Sequence, residues 1–207
     1  MTGGSPVPLR YVALGDSYTI GTATRSPAER WPDQLVARLR SALPNLDLVA
    51  NLGVNGFTSR DMIEKQMQEL AALEPGFVTV LVGVNDIVQG VPEAAYRENV
   101  TIILDELLSR LPPGRLLVVT TPDYTVTPRG GDFGDLAQQS AEIRRFNAAI
   151  AELATGLGIS VVDVHDLSLE AATDRSLVAD DGLHPSGAQY ARWVDRIAPV
   201  VEDLLGR

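Results

Sequence analysis

Four short stretches of this chain hold residues able to do chemistry together. They are Gly15-Asp16-Ser17, Asn51-Leu52-Gly53-Val54-Asn55-Gly56, Gly83-Val84-Asn85-Asp86 and Asp181-Gly182-Leu183-His184-Pro185. A serine hydroxyl is a weak nucleophile unless a base takes its proton. The chain has no cysteine and only two histidines, His165 and His184, so any imidazole base is one of these two. His184 can take the proton of Ser17. Asp181 lies three residues earlier, and a short turn at Gly182-Leu183 would let its carboxylate reach the Nδ1–H. That contact fixes the tautomer and stabilises the imidazolium. Attack on a carbonyl creates an oxyanion, which needs donors where the charge develops. The Ser17 backbone N–H, the Gly56 backbone N–H and the Asn85 side-chain NH₂ are the available donors. Together these residues describe an acyl-transfer site.

Each stretch also has an ordinary explanation. Gly-Asp-Ser is a common turn tripeptide, and Asn-Gly is loop chemistry. Asp180-Asp181-Gly182 before a helix could simply favour its positive end. What the ordinary readings leave unexplained is the joint occurrence, since three of the stretches follow apolar runs that read as strands.

Those runs are Arg10–Leu14, Leu46–Leu52, Phe77–Val84, Leu116–Thr121 and Ile159–Val164. They are continuous rather than alternating, the pattern of strands buried on both faces. Between and after them lie amphipathic helical stretches: Pro32–Leu43, Ser59–Leu73, Glu93–Leu111, Leu136–Leu157 and Ser186–Leu205, with Ser59 and Ser186 as expected caps. Regular alternation predicts βαβ units and a mainly parallel sheet with helices on both faces. The exits of the first three strands then share one edge, where open α/β folds bind ligands. The irregular stretch Thr121–Asp135 follows the fourth strand and belongs over that edge. We read residues 1–207 as a single domain.

Composition narrows the function. Hydrophobic residues make up 45%, enough for a sizeable core. A formal net charge of −10, without a Lys/Arg cluster, argues against nucleic-acid partners. The start, Met1 to Tyr11, lacks the basic and apolar regions of an export signal. No apolar run approaches the roughly 18 residues of a membrane span, so neither export nor membrane insertion is expected and a cytoplasmic location is.

Ser17 in Gly-Asp-Ser, Gly56, Asn85 in Gly-Val-Asn-Asp, and Asp181 with His184 resemble the four blocks of the SGNH hydrolase superfamily, the GDSL esterases/lipases. The blocks span Gly15 to Pro185 in the expected order. The resemblance implies a flavodoxin-like, three-layer α/β/α sandwich of about five parallel strands. It implies Ser17 as nucleophile, His184 as base, Asp181 as its partner, and Ser17, Gly56 and Asn85 as the oxyanion hole. By block position Gly56 is the oxyanion glycine, and Gly53 serves the turn. No metal or organic cofactor is implied, and the partner is a small-molecule ester; nothing indicates an oligomeric state. The Gly-x-Ser-x-Gly elbow of other serine hydrolases is absent, since Tyr18-Thr19 follows Ser17.

The blocks do not separate a simple esterase from an acyl-thioesterase, a lysophospholipase or a carbohydrate O-deacetylase. A non-catalytic flavodoxin-like binding module is a further alternative, with Ser17–Thr22 cradling a phosphate. That alternative leaves Asn85, Asp181 and His184 without a task. Asp163, His165 and Asp166 could suggest a metal site, but neighbours at a strand exit cannot all point one way. Asp16 is expected to hydrogen-bond structurally, and Asp86 to anchor the loop of Asn85. Trp31 reads as core, with a pocket wall as the alternative. Because Thr121–Asp135 mixes Tyr124, Val126 and Phe133 with many polar residues, we expect short acyl groups, acetyl to about hexanoyl.

Overall fold

The computed structural model describes residues 7–206 of the 207. Residues 1–6, most of the stretch read for an export signal, lie outside the described residues.

Five parallel strands form one sheet in the order β2-β1-β3-β4-β5. They are β1 (Leu9–Gly15), β2 (Leu46–Asn51), β3 (Phe77–Leu81), β4 (Leu116–Val119) and β5 (Ser160–Val162). Tyr11, Val12, Ala13 and Leu14 are fully buried, as are all five residues of β3, because helices cover both faces. Truncating such a residue, Leu14→Ala for instance, costs about 2–5 kcal/mol.

The helices are α1 (Ser17–Ile20), α2 (Trp31–Leu39), α3 (Ser59–Asp61), α4 (Met67–Leu73), α5 (Val84–Val88), α6 (Glu93–Arg110), α7 (Leu136–Gly156), α8 (His165–Leu169) and α9 (Gly187–Leu205). A π-helical turn, Met62–Gln66, joins α3 to α4. α2 packs against α9, and α6 packs against both α3 and α7. Among the described residues, no helix is long and apolar enough to cross a membrane.

The strand order sets the position of the site. The chain leaves β1 in one direction for β2, then returns past β1 to β3. The carboxyl ends of β1 and β3, with Gly15 opposite Leu81, therefore flank a topological switch point.

The structure corrects four local expectations. The third strand stops at Leu81 rather than Val84, because Val84 already opens α5. Asn85 accordingly sits on a helix, not at a strand tip. The cap before the second helical stretch is Thr58, not Ser59: Thr58 and Asp61 form a reciprocal capping box. The stretch Thr121–Asp135 contains two 3₁₀ turns, Tyr124–Val126 and Gly130–Phe133. At the other end Ser186 does cap α9, its hydroxyl accepting from the Gln189 N–H.

Candidate active site

Ser17 is the first residue of α1, directly after the exit of β1, and is 8% exposed. As a first-turn residue its N–H has no acceptor within the helix. Asp16 caps this short helix, its Oδ1 accepting from the Tyr18 N–H at 2.9 Å. Burial pushes the Asp16 carboxyl up to about 7; the Tyr18 N–H opposes the shift and nearby Asp86 adds to it. Asp16 therefore has the structural role expected of it, although its Oδ2 is buried without a hydrogen-bond partner.

The turn before Ser17 is gripped from a distance. Gln66, on the π-helical turn, donates to the Gly15 carbonyl at 2.6 Å and accepts from the Gly15 N–H at 3.0 Å. π-Bulges of this kind occur often at functional sites. Asn51 donates to the Thr19 carbonyl at 2.7 Å, tying the end of β2 to α1.

The two glycines after β2 have different physical needs. A Cβ on Gly53 would stand 2.4 Å from the Ile20 N and 2.8 Å from the Asp16 carbonyl, so only glycine lets this turn pack on α1. Gly56 is exposed and has open space where a Cβ would be. Its requirement is conformational, a φ of +81°. The Gly56 carbonyl accepts from Gln89 Nε2 at 3.0 Å.

Asn85, the second residue of α5, donates from Nδ2 to the Phe57 carbonyl at 3.0 Å. Next to it, the buried carboxylate of Asp86 accepts from both the N–H and the hydroxyl of Ser59. The turn carrying Gly56 and the helix carrying Asn85 are thus fastened together.

The last stretch is organised around one carboxylate. Asp181 Oδ2 lies 2.6 Å from His184 Nδ1, while its Oδ1 accepts from the N–H groups of Leu183 at 2.9 Å and His184 at 3.0 Å. Burial alone would raise the Asp181 carboxyl, but the His184 bond and the two backbone N–H groups outweigh it and hold the group below its ordinary value. Asp181 therefore stays ionised, the form needed to orient the imidazole. The Tyr18 ring packs on the imidazole with centroids 5.7 Å apart.

Ser17, Asn85 and His184 line one cavity of about 50 Å³, with Tyr18, Val84, Val88, Tyr124, Phe133 and Leu183 as its walls. Gly56 is not in this lining. Two larger open grooves of about 630 and 600 Å³ share Ala23 and Arg25 with each other, but neither reaches Ser17 or His184. They are larger, yet they lack the chemistry. Trp31 is fully buried and outside all three lining sets.

His165 opens α8: its Nε2 stands 3.5 Å from Asp123 Oδ2, too long for a hydrogen bond, and has no other partner. Asp166 pairs with Arg196, and Asp163 accepts from the Thr120 hydroxyl at 2.6 Å. Among the described residues, no three His, Cys, Asp or Glu side chains stand together as a metal site.

These features place the chain among hydrolases built on an open, parallel α/β/α sandwich. The profile of the GDSL-like lipase/acylhydrolase family matches residues 13–192, and the chain belongs to that family. It is a carboxylic ester hydrolase. A search of curated proteins returns no match. Solved structures share the fold. LAE5, an alpha/beta hydrolase enzyme from the metagenome of Lake Arreo, Spain, superposes with a TM-score of 0.74 at 19% identity, covering 96% of this chain and 97% of its own. Axe2, an acetylxylan esterase from Geobacillus stearothermophilus, gives 0.73 at 18% identity, covering 97% and 96%. A G-D-S-L family protein from Desulfitobacterium hafniense DCB-2 gives 0.72 at 19%, covering 93% and 99%.

Proposed function

We propose that the enzyme cleaves short-acyl carboxylic esters through an acyl-enzyme on Ser17. The observation that carries this reading is the 2.6 Å contact between Asp181 and His184, with His184 lining the same small cavity as Ser17. Nδ1 is occupied by the carboxylate, so Nε2 is the ring nitrogen left to take the Ser17 proton. The hydroxyl oxygen bonds to the acyl carbon, and the carbonyl oxygen becomes an oxyanion. The Ser17 and Gly56 N–H groups and Asn85 Nδ2–H serve as its donors. The intermediate collapses, the C–O bond to the alcohol breaks, and His184 returns its proton to the leaving oxygen. Water then attacks the Ser17 ester through the same base and releases the carboxylic acid.

Cavity size supports a short acyl group. The cavity beside Ser17 measures about 50 Å³ against a water molecule's share of about 30 Å³, so it favours the small end of the acyl series. O-deacetylation of a sugar is the second reading, since the fold is shared with an acetylxylan esterase. A panel of p-nitrophenyl esters from acetyl to palmitoyl, run beside acetylated xylose and an acyl-CoA, tests both. The expected kcat/KM falls beyond about hexanoyl; a steady rise through dodecanoyl would refute the short-acyl assignment.

A further inference from the structure

We infer that Gln139, a residue outside the catalytic cavity, is a positioning residue that sets acyl-chain selectivity by holding Tyr124 as a cavity wall. The inference rests on the reading that the acyl group bound at Ser17 occupies this cavity.

The Tyr124 hydroxyl donates to Gln139 Oε1 at 2.7 Å. This bond crosses from a 3₁₀ turn above the sheet edge to α7, two elements otherwise joined only by packing and a few side chains. The ring is 3% exposed and meets Phe133 edge-on, with centroids 5.3 Å apart. Both rings line the cavity beside Ser17 and His184. Packing against Phe133 restricts the Tyr124 ring, and the bond at its far end fixes which χ1 and χ2 it holds. Burial, with Asp123 adding to it, pushes the Tyr124 phenol up to about 12, so the hydroxyl remains a donor at neutral pH.

The backbone beneath the ring is fixed independently. Asp123 is 1% exposed, and its carboxylate accepts from the Thr125 N–H at 2.9 Å, the Thr125 hydroxyl at 2.6 Å and the Ser140 hydroxyl at 2.6 Å. The Asp123 N–H donates to the Ser168 hydroxyl at 2.7 Å. Loss of the Gln139 bond would therefore release the Tyr124 ring while the turn stays in place. A released ring can swing away and admit further methylenes, each worth about fourfold in binding when buried.

The test uses the full chain with Gln139→Leu, a substitution on the half-exposed surface of α7 that keeps side-chain volume, and with Tyr124→Phe, which keeps the ring and deletes the hydroxyl. kcat/KM is measured on p-nitrophenyl acetate, butyrate and hexanoate. We expect the hexanoate-to-acetate ratio to rise by about fourfold to twentyfold in each variant, mainly through KM for the longer ester. The double variant should rise no further, because both changes break the same bond. Unchanged ratios, equal losses on all three esters, or additive effects would overturn the inference. If wild-type protein hydrolysed no ester, or kept its activity in Ser17→Ala, the underlying reading would fail instead.

Discussion

Asp86 accepts two hydrogen bonds from Ser59, from the backbone N–H at 2.9 Å and from the hydroxyl at 2.5 Å, and thereby locks two loops that arrive from different strands. Asn99 adds a third contact to the same hydroxyl at 3.0 Å. Neither Asp86 nor Ser59 lines the cavity, yet they set the distance between the turn of Gly56 and the helix of Asn85.

Asp86→Ala should therefore damage catalysis without touching substrate. It leaves the buried Ser59 N–H without its acceptor, a loss of about 1–3 kcal/mol in stability. Displacement of the oxyanion donors should lower kcat by about tenfold to a hundredfold, with KM changed less. Thermal melts and steady-state kinetics on p-nitrophenyl acetate measure both. Full kcat alongside the expected drop in Tm would show that the lock serves folding alone.

The two histidines separate cleanly. Asp181→Asn should reduce kcat by about a thousandfold to ten-thousandfold, since the amide no longer stabilises the imidazolium or its tautomer. His184→Ala should be at least as damaging. His165→Ala should keep turnover within a few-fold, because its Nε2 makes no hydrogen bond and stands beside Asp123, outside the cavity of Ser17. Activity should also survive EDTA. An inactive His165→Ala beside an active His184→Ala would move the base to the other ring.

Asp16 predicts an unusual pH dependence of stability. Its carboxyl is pushed up from an ordinary 3.8 to about 7 by burial. Between those values the native chain holds a proton that the unfolded chain has released, so this group's contribution to stability falls as pH rises. Asp16→Asn removes the titration while keeping an oxygen to accept from the Tyr18 N–H. The Tm of the variant minus that of wild type should climb from pH 4 to pH 7 and then level. A difference independent of pH would mean that Asp16 is ionised throughout.

Much of the site's location was legible in the sequence, because it follows from order and edge. Continuous apolar runs gave five strands, and parallel pairing forces their exits to one side. The extent of the third run was misread at Val84, whose inward-facing side chain on α5 looks the same as another strand residue. The supporting contacts were not legible. Gln66 grips Gly15, 51 residues away, and Gln89 reaches Gly56 across 33. Each is a single polar residue in or beside a helix, with no local pattern to mark it, and only the tertiary fold supplies its partner. The Gly56 turn was recognised by its block, but the reason for glycine there is its left-handed backbone rather than a close neighbour.

The account turns on Ser17 carrying the acyl group. The most direct measurement is reaction of the full chain with a fluorophosphonate, followed by intact mass and peptide mapping. One adduct per chain, on the peptide containing Ser17, is expected, with ester hydrolysis lost in step with labelling. Ser17→Ala should take no label and lose at least about a thousandfold in kcat/KM. An adduct on another residue, or a Ser17→Ala protein that still turns over p-nitrophenyl acetate at near the wild-type rate, would contradict the assignment.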